Sequence, residues 1–111
     1  MDIKKPTFFI GYDSKEDIAY RVCKQSLLKK TSIPIKVLSL KLYELVAKKF
    51  YYRTIDPLAS TEFTYSRFLV PNLMNFKGWA VFCDCDFIFL DDVAKLFEGL
   101  NQEKAVYCVK H

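Results

Sequence analysis

The sequence lacks any apolar run as long as the roughly 20 residues that a membrane-spanning helix needs. Its first residues, Met1 to Pro6, also lack the apolar stretch and small-residue cleavage site of a secretory signal. No internal repeat and no low-complexity segment interrupts the 111 residues. We therefore expect one folded domain, residues 1–111, with a cytoplasmic location and no transmembrane segment.

Paired cysteines, histidine and clustered charge are also scarce. The four cysteines form no CxxC pair, and three lie in apolar runs, which favours free, reduced, buried thiols over a metal or disulfide role. The single histidine, His111, is the final residue, where an incidental histidine is more common than a ligand. The net charge of +4 comes from scattered lysine pairs without interleaved aromatic residues, so nucleic acid is not an expected partner.

Short apolar runs alternate with segments of helical spacing along the chain. Strands are predicted at residues 7–10, 33–40, 79–83 and 105–109. Helices are predicted at residues 13–27, 42–49, 60–78 and 91–97, with a loop at 50–59. Pro71 is expected to interrupt or restart the helix at 60–78. Such alternation is typical of a mostly parallel sheet with helices on both faces. The predicted fold class is therefore α/β.

Acidic residues stand where two of the predicted strands end. Gly11-Tyr12-Asp13 follows the first strand, and Asp84-Cys85-Asp86 follows the strand at 79–83. If these strands are parallel neighbours, both groups leave the sheet at its carboxyl edge, where open α/β sheets bind ligands. In an extended stretch Asp84 and Asp86 would point to one side, and their oxygens suit a hard cation that also binds phosphate. An acidic triplet that merely ends a strand is the alternative.

The order of these motifs resembles the GT-A glycosyltransferases, in particular the group containing glycogenin and the bacterial lipooligosaccharide galactosyltransferases, with small bacterial and phage relatives. Residues 64–71, TYSRFLVP, are similar to that group's Tyr-x-Arg helix, and residues 79–97 resemble its strand, DxD motif and apolar continuation. With residues 9–13 the resemblance covers most of the chain, and the block 64–97 is its specific part. It implies a truncated GT-A, Rossmann-like sheet, the donor half of the fold.

The resemblance also implies an activity and a site. The activity is metal-dependent transfer of a sugar, as by a hexosyltransferase, from a nucleotide-sugar donor, with UDP-sugars favoured, to a hydroxyl-bearing acceptor. The implied donor-binding residues are Gly11, Tyr12, Asp13, Arg67, Asp84 and Cys85. Asp84 and Asp86 would bind Mn²⁺ or Mg²⁺, and no catalytic base is assignable. Helix capping is the alternative for Asp13, a surface salt bridge for Arg67, and capping is the favoured role of Asp91 and Asp92.

Three further hypotheses stay open. A haloacid-dehalogenase-type phosphatase also uses a DxD motif, but there the motif normally follows the first strand. A non-catalytic nucleotide-sugar binding or assembly module is the runner-up, because the half of such enzymes that contacts the acceptor has no counterpart in this sequence. A free sheet edge could also recruit a second copy and form a homodimer.

Overall fold

The central strand of the sheet is buried along its whole length. The computed structural model describes residues 5–109, so His111 lies outside the described residues. Strand β1 (Thr7–Gly11) lies between β2 (Lys36–Leu40) and β3 (Ala80–Cys83), and both pairings are parallel. All five residues of β1 are buried, as its continuous apolar sequence predicts.

Helices cover both faces of this sheet. They are α1 (Asp17–Lys29), α2 (Leu42–Ala47) and α3 (Val70–Leu73), with 3₁₀ helices at Ser14–Glu16, Ser66–Leu69 and Val93–Phe97. Successive strand side chains point to opposite faces, so Phe8 and Ile10 pack against α1 while Phe9 packs with α2 and α3. The predicted α/β class is confirmed. Of the helices within residues 5–109, none has the length and apolarity that crossing a membrane requires.

The helix predicted for residues 60–78 is wrong over most of its length. The hydroxyl of Thr64 donates to the carbonyl of Thr61 at 3.0 Å and accepts the N–H of Thr61 at 3.1 Å. Such side-chain bonds compete with the helical backbone pattern, and only the short α3, with Pro71 in its first turn, is α-helical here. Left-handed backbone at Asn75 follows the end of α3.

The strand predicted for residues 105–109 is also wrong. These residues are exposed and form no ladder with the sheet. The Tyr107 hydroxyl instead accepts the N–H of Asn101 at 2.7 Å, and its ring lies 6.0 Å from that of Trp79. β-Branched and aromatic residues form a strand only where a partner strand is available. The conformation of residues 105–109 was therefore decided by tertiary context.

Smaller differences concern element boundaries and faces. Strand β2 begins at Lys36 rather than at residue 33. In α1, the apolar residues Ile18 and Val22 are 78% and 46% exposed, whereas Cys23 and Leu27 are buried. The capping role predicted for Asp92 is confirmed, because its carboxylate accepts the N–H of Ala94 at 3.0 Å.

Gly11 ends β1 where another side chain packs directly on the backbone. A Cβ added at this position would lie 2.6 Å from Cγ of the Phe63 ring, closer than real Cβ atoms approach a neighbour. Phe63 is only 4% exposed, so its ring cannot simply withdraw into solvent. Gly11 is thus required by close approach.

We expect Gly11→Ala to lower the free energy of unfolding by about 1–3 kcal/mol, the usual cost of overpacking a core. Urea denaturation followed by circular dichroism measures this loss. Phe63→Ala removes the three clashing atoms, Cγ, Cδ1 and Cδ2, so its cost should be smaller in the Gly11→Ala background than in the original protein. Strictly additive losses in the double variant would contradict this explanation.

Candidate functional site at the carboxyl edge of the sheet

Two chain segments meet at the carboxyl edge of the sheet because β1 and β3 are parallel neighbours. Ile10 pairs with Cys83, so Gly11-Tyr12-Asp13 and Asp84-Cys85-Asp86 leave adjacent strands side by side. The condition on which the expected meeting of these segments depended, that the two strands are parallel neighbours, is met. Ligands of open α/β sheets bind at this kind of edge.

Asp84-Cys85-Asp86 forms a turn rather than an extended stretch. Strand β3 ends at Cys83, and the N–H of Phe87 donates to the carbonyl of Asp84 at 3.4 Å. The strand-like alternation expected for these residues is therefore wrong, because alternation requires extended backbone. The turn still separates the side chains, since Cys85 is 4% exposed in the core while Asp84 is half-buried and Asp86 is exposed.

The two acids of this turn suit a hard cation. The ion pairs within residues 5–109 are Asp17 with Arg21 and Asp91 with Lys95, so no basic side chain neutralises Asp84 or Asp86 there. Mg²⁺ commonly binds through one or two carboxylates and completes its shell with water and substrate phosphate. No group of three or more candidate ligand side chains occurs in the described part of the chain. A cation here would therefore depend on water and substrate for its remaining ligands.

Carboxylates from both chain segments influence the Cys85 thiol. Burial raises the pKa of the Cys85 thiol, and the charges of Asp86, Glu16 and Asp13 raise it further. Asp86 belongs to the turn after β3, whereas Asp13 and Glu16 follow β1. The predicted donor contact Cys85 is thus a buried, protonated thiol that anchors the turn in the core.

Asp13 is held by backbone donors. One carboxylate oxygen accepts the N–H of Lys15 at 3.0 Å, and the other accepts the N–H of Glu62 at 3.3 Å. The Glu62 carboxylate in return accepts the N–H of Ser14 at 3.2 Å and also the Ser14 hydroxyl. The capping alternative for Asp13 is confirmed, and the same carboxylate joins the loop after β1 to a segment 49 residues away. No local sequence signal indicated the role of Glu62.

Tyr12 is fixed over the start of α1. Its hydroxyl donates to Asp17 at 2.6 Å, and Asp17 also pairs with Arg21 at 2.7 Å. The Tyr20 ring lies edge-on at 5.2 Å, and the Lys41 ammonium lies 4.9 Å from the Tyr12 ring centre. The hydrogen bond to Asp17 raises the pKa of Tyr12 to about 12, and the same bond is the main cause of the lowered pKa of Asp17. Tyr12 is therefore a neutral, positioned ring at neutral pH.

Arg67 makes its contacts away from these acids. Its Nε donates to the carbonyl of Thr64 at 3.0 Å, and its guanidinium carbon lies 5.8 Å from the centre of the Phe68 ring. The alternative of a surface salt bridge is not found among the ion pairs of residues 5–109. The approach of Arg67 to a donor stays a prediction.

A cavity of about 190 Å³ opens beside Asp13. It is lined by Asp13, Lys15, Leu42, Tyr51, Ile55, Asp56, Pro57, Ala59, Ser60, Thr61, Glu62 and Tyr65. The segment 50–59, predicted only as a loop, supplies one wall. We call this the edge cavity, and its size suits one ring of a ligand rather than a whole nucleotide.

The chain is similar in sequence to a plant protein. The chain is 44% identical over 109 residues to Protein CDI of Arabidopsis thaliana, and the alignment covers 97% of this chain and 42% of the Arabidopsis protein. The chain thus spans less than half the length of that relative. No protein-family model and no solved structure matches the chain.

We expect Tyr12→Phe to raise the pKa of Asp17 toward its ordinary range, because the variant loses the hydrogen bond that chiefly lowers it. A carboxyl ¹³C NMR titration measures this shift. A folded-state pKa below the unfolded one gives stability that is lost as the pH falls through the folded-state pKa, so the variant should lose less stability in acid. Asp91, whose pKa is lowered mainly by Lys95, is the internal control. An unaltered Asp17 titration in the variant would refute the assignment.

Proposed function

We propose that the protein is a metal-dependent glycosyltransferase of GT-A, Rossmann-like fold that binds a nucleotide-sugar donor at the carboxyl edge of its sheet. The favoured donor is a UDP-sugar, and the acceptor is a hydroxyl group. The observation that carries this proposal is the parallel pairing of β1 with β3, which brings the Asp84-Cys85-Asp86 turn beside the exit of β1. The motif resemblance over residues 64–97 supports the same function.

Each part of this edge would have a separate task in donor binding. Asp84 and Asp86 would hold Mn²⁺ or Mg²⁺, which when bound neutralises charge on a departing diphosphate. The hydrogen bonds of Asp13 and Glu62 keep the loop after β1 in place, so that the edge is already arranged before a ligand arrives. The edge cavity beside Asp13 would accept the ring of the nucleoside.

Donor binding and sugar transfer are separable in this proposal. The residues that would contact an acceptor or act as a base are unassigned, and the chain corresponds to 42% of the length of its Arabidopsis relative. Incubation with UDP-sugars, Mn²⁺ and candidate acceptors should release UDP if the chain transfers or hydrolyses the sugar. Metal-dependent binding without release would favour the non-catalytic binding module.

We expect Asp84→Asn and Asp86→Asn to weaken Mn²⁺-dependent binding of UDP-sugars by more than about tenfold, the lower end of what even indirect partners of a bound metal contribute. Each variant removes one anionic oxygen ligand while keeping the shape of the side chain. Isothermal calorimetry with UDP-glucose, UDP-galactose and UDP, each with Mn²⁺ and with EDTA, measures the loss.

Asp91→Asn is the matched control, because Asp91 is an exposed acid that pairs with Lys95 outside the Asp84-Cys85-Asp86 turn. Its affinity for donor should equal that of the original protein. Circular dichroism spectra establish that all variants fold. Unchanged Mn²⁺-dependent binding in folded Asp86→Asn protein would exclude the proposed cation site.

A further inference from the structure

A second and larger cavity lies on the Phe9 face of the sheet, outside the acidic edge. It has a volume of about 340 Å³, and five of its seven lining residues are aromatic, the others being Arg53 and Leu69. Three of the rings, Phe50, Tyr52 and Phe68, are 42%, 85% and 76% exposed. We call it the aromatic cavity. Small-molecule sites have volumes of about 300–1,000 Å³, and exposed apolar rings around a concave surface commonly mark binding.

Arg53 gives this cavity a positive charge with free donors. Its guanidinium carbon lies 4.0 Å from the centre of the Tyr65 ring. The ion pairs described between residues 5 and 109 involve other basic side chains, and no acid lines the cavity. Because a ring face attracts the charge of a guanidinium rather than its N–H groups, the forked donors stay available for an anionic oxygen.

The ring that supports Arg53 is itself held in place. The hydroxyl of Tyr65 donates to the carboxylate of Asp56 at 3.2 Å, and Asp56 lines the edge cavity rather than the aromatic one. Tyr51, which is 9% exposed, and Tyr65 line both cavities and form the wall between them. The guanidinium is thus positioned over a fixed ring before any ligand is present, which lowers the entropic cost of binding.

We propose that the aromatic cavity binds a small molecule that combines a flat ring with an anionic oxygen group. The ring packs against the aromatic walls, and the anionic group accepts hydrogen bonds from Arg53. A nucleotide and an aromatic phosphate share this chemistry. The inference uses neither Asp84 nor Asp86 and does not depend on glycosyl transfer.

Four probes separate the contributions of ring and charge, and EDTA in every sample removes any metal-dependent binding. UMP and phenyl phosphate carry both features, uridine carries only the ring, and inorganic phosphate carries only the charge. Calorimetry should show that UMP, phenyl phosphate or both bind at least about tenfold more tightly than the single-feature probes, the size of one charge-assisted hydrogen bond. Amide NMR shifts should centre on residues 50–53 and 65–69.

Arg53→Gln should weaken binding of UMP and phenyl phosphate by about tenfold or more, because it removes the positive charge that binds the phosphate group. Arg53 is exposed, so the substitution leaves the core unchanged. Lys29→Gln, on α1 across the sheet, removes the same charge and should bind like the original protein.

Binding of UMP alone identifies a nucleotide as the occupant, binding of phenyl phosphate alone identifies an aromatic anion, and either supports the site. Equal binding of single-feature probes, no binding, unchanged affinity in Arg53→Gln, or shifts centred elsewhere would overturn it.

Discussion

The parallel pairing of β1 with both of its neighbours is the constraint on which the rest of the structure depends. A strand buried on both faces can satisfy its backbone N–H and C=O groups only through ladders, so β2 and β3 must flank it. Helices must then cover the two apolar faces that Phe8 and Phe9 present. Parallel direction also gathers all three strand ends at one edge, and for this reason the acidic residues lie there together.

At this edge, acids of the same type have different tasks because their partners differ. Asp13 is buried, and its two carboxylate oxygens accept backbone N–H groups. These hydrogen bonds hold the loop after β1 in place. Asp84 and Asp86 stand in a turn anchored by the buried Cys85 and have no basic partner among the described residues. Their carboxylate oxygens are of the kind that a hard cation prefers.

The segment after α2 contributes residues to both the edge cavity and the aromatic cavity. Tyr51 and Tyr65 separate the edge cavity from the aromatic cavity, and Asp56 on one side steadies the ring that supports Arg53 on the other. One wall thus faces carboxylates on one side and a guanidinium on the other. The two cavities therefore differ in their charged lining residues, although they share the same tyrosines.

Local pattern in the sequence was sufficient to predict β1, α1, the strand that ends at Cys83, and the cap formed by Asp92, because each depends on residues only a few positions apart. The acidic turn itself could be placed at a strand end for the same reason.

Tertiary structure alone decided the contact of Phe63 with Gly11, the bonds between Glu62 and Ser14, and the absence of a strand at residues 105–109. These features depend on which distant segments pack together, and no periodicity within a single segment records that choice.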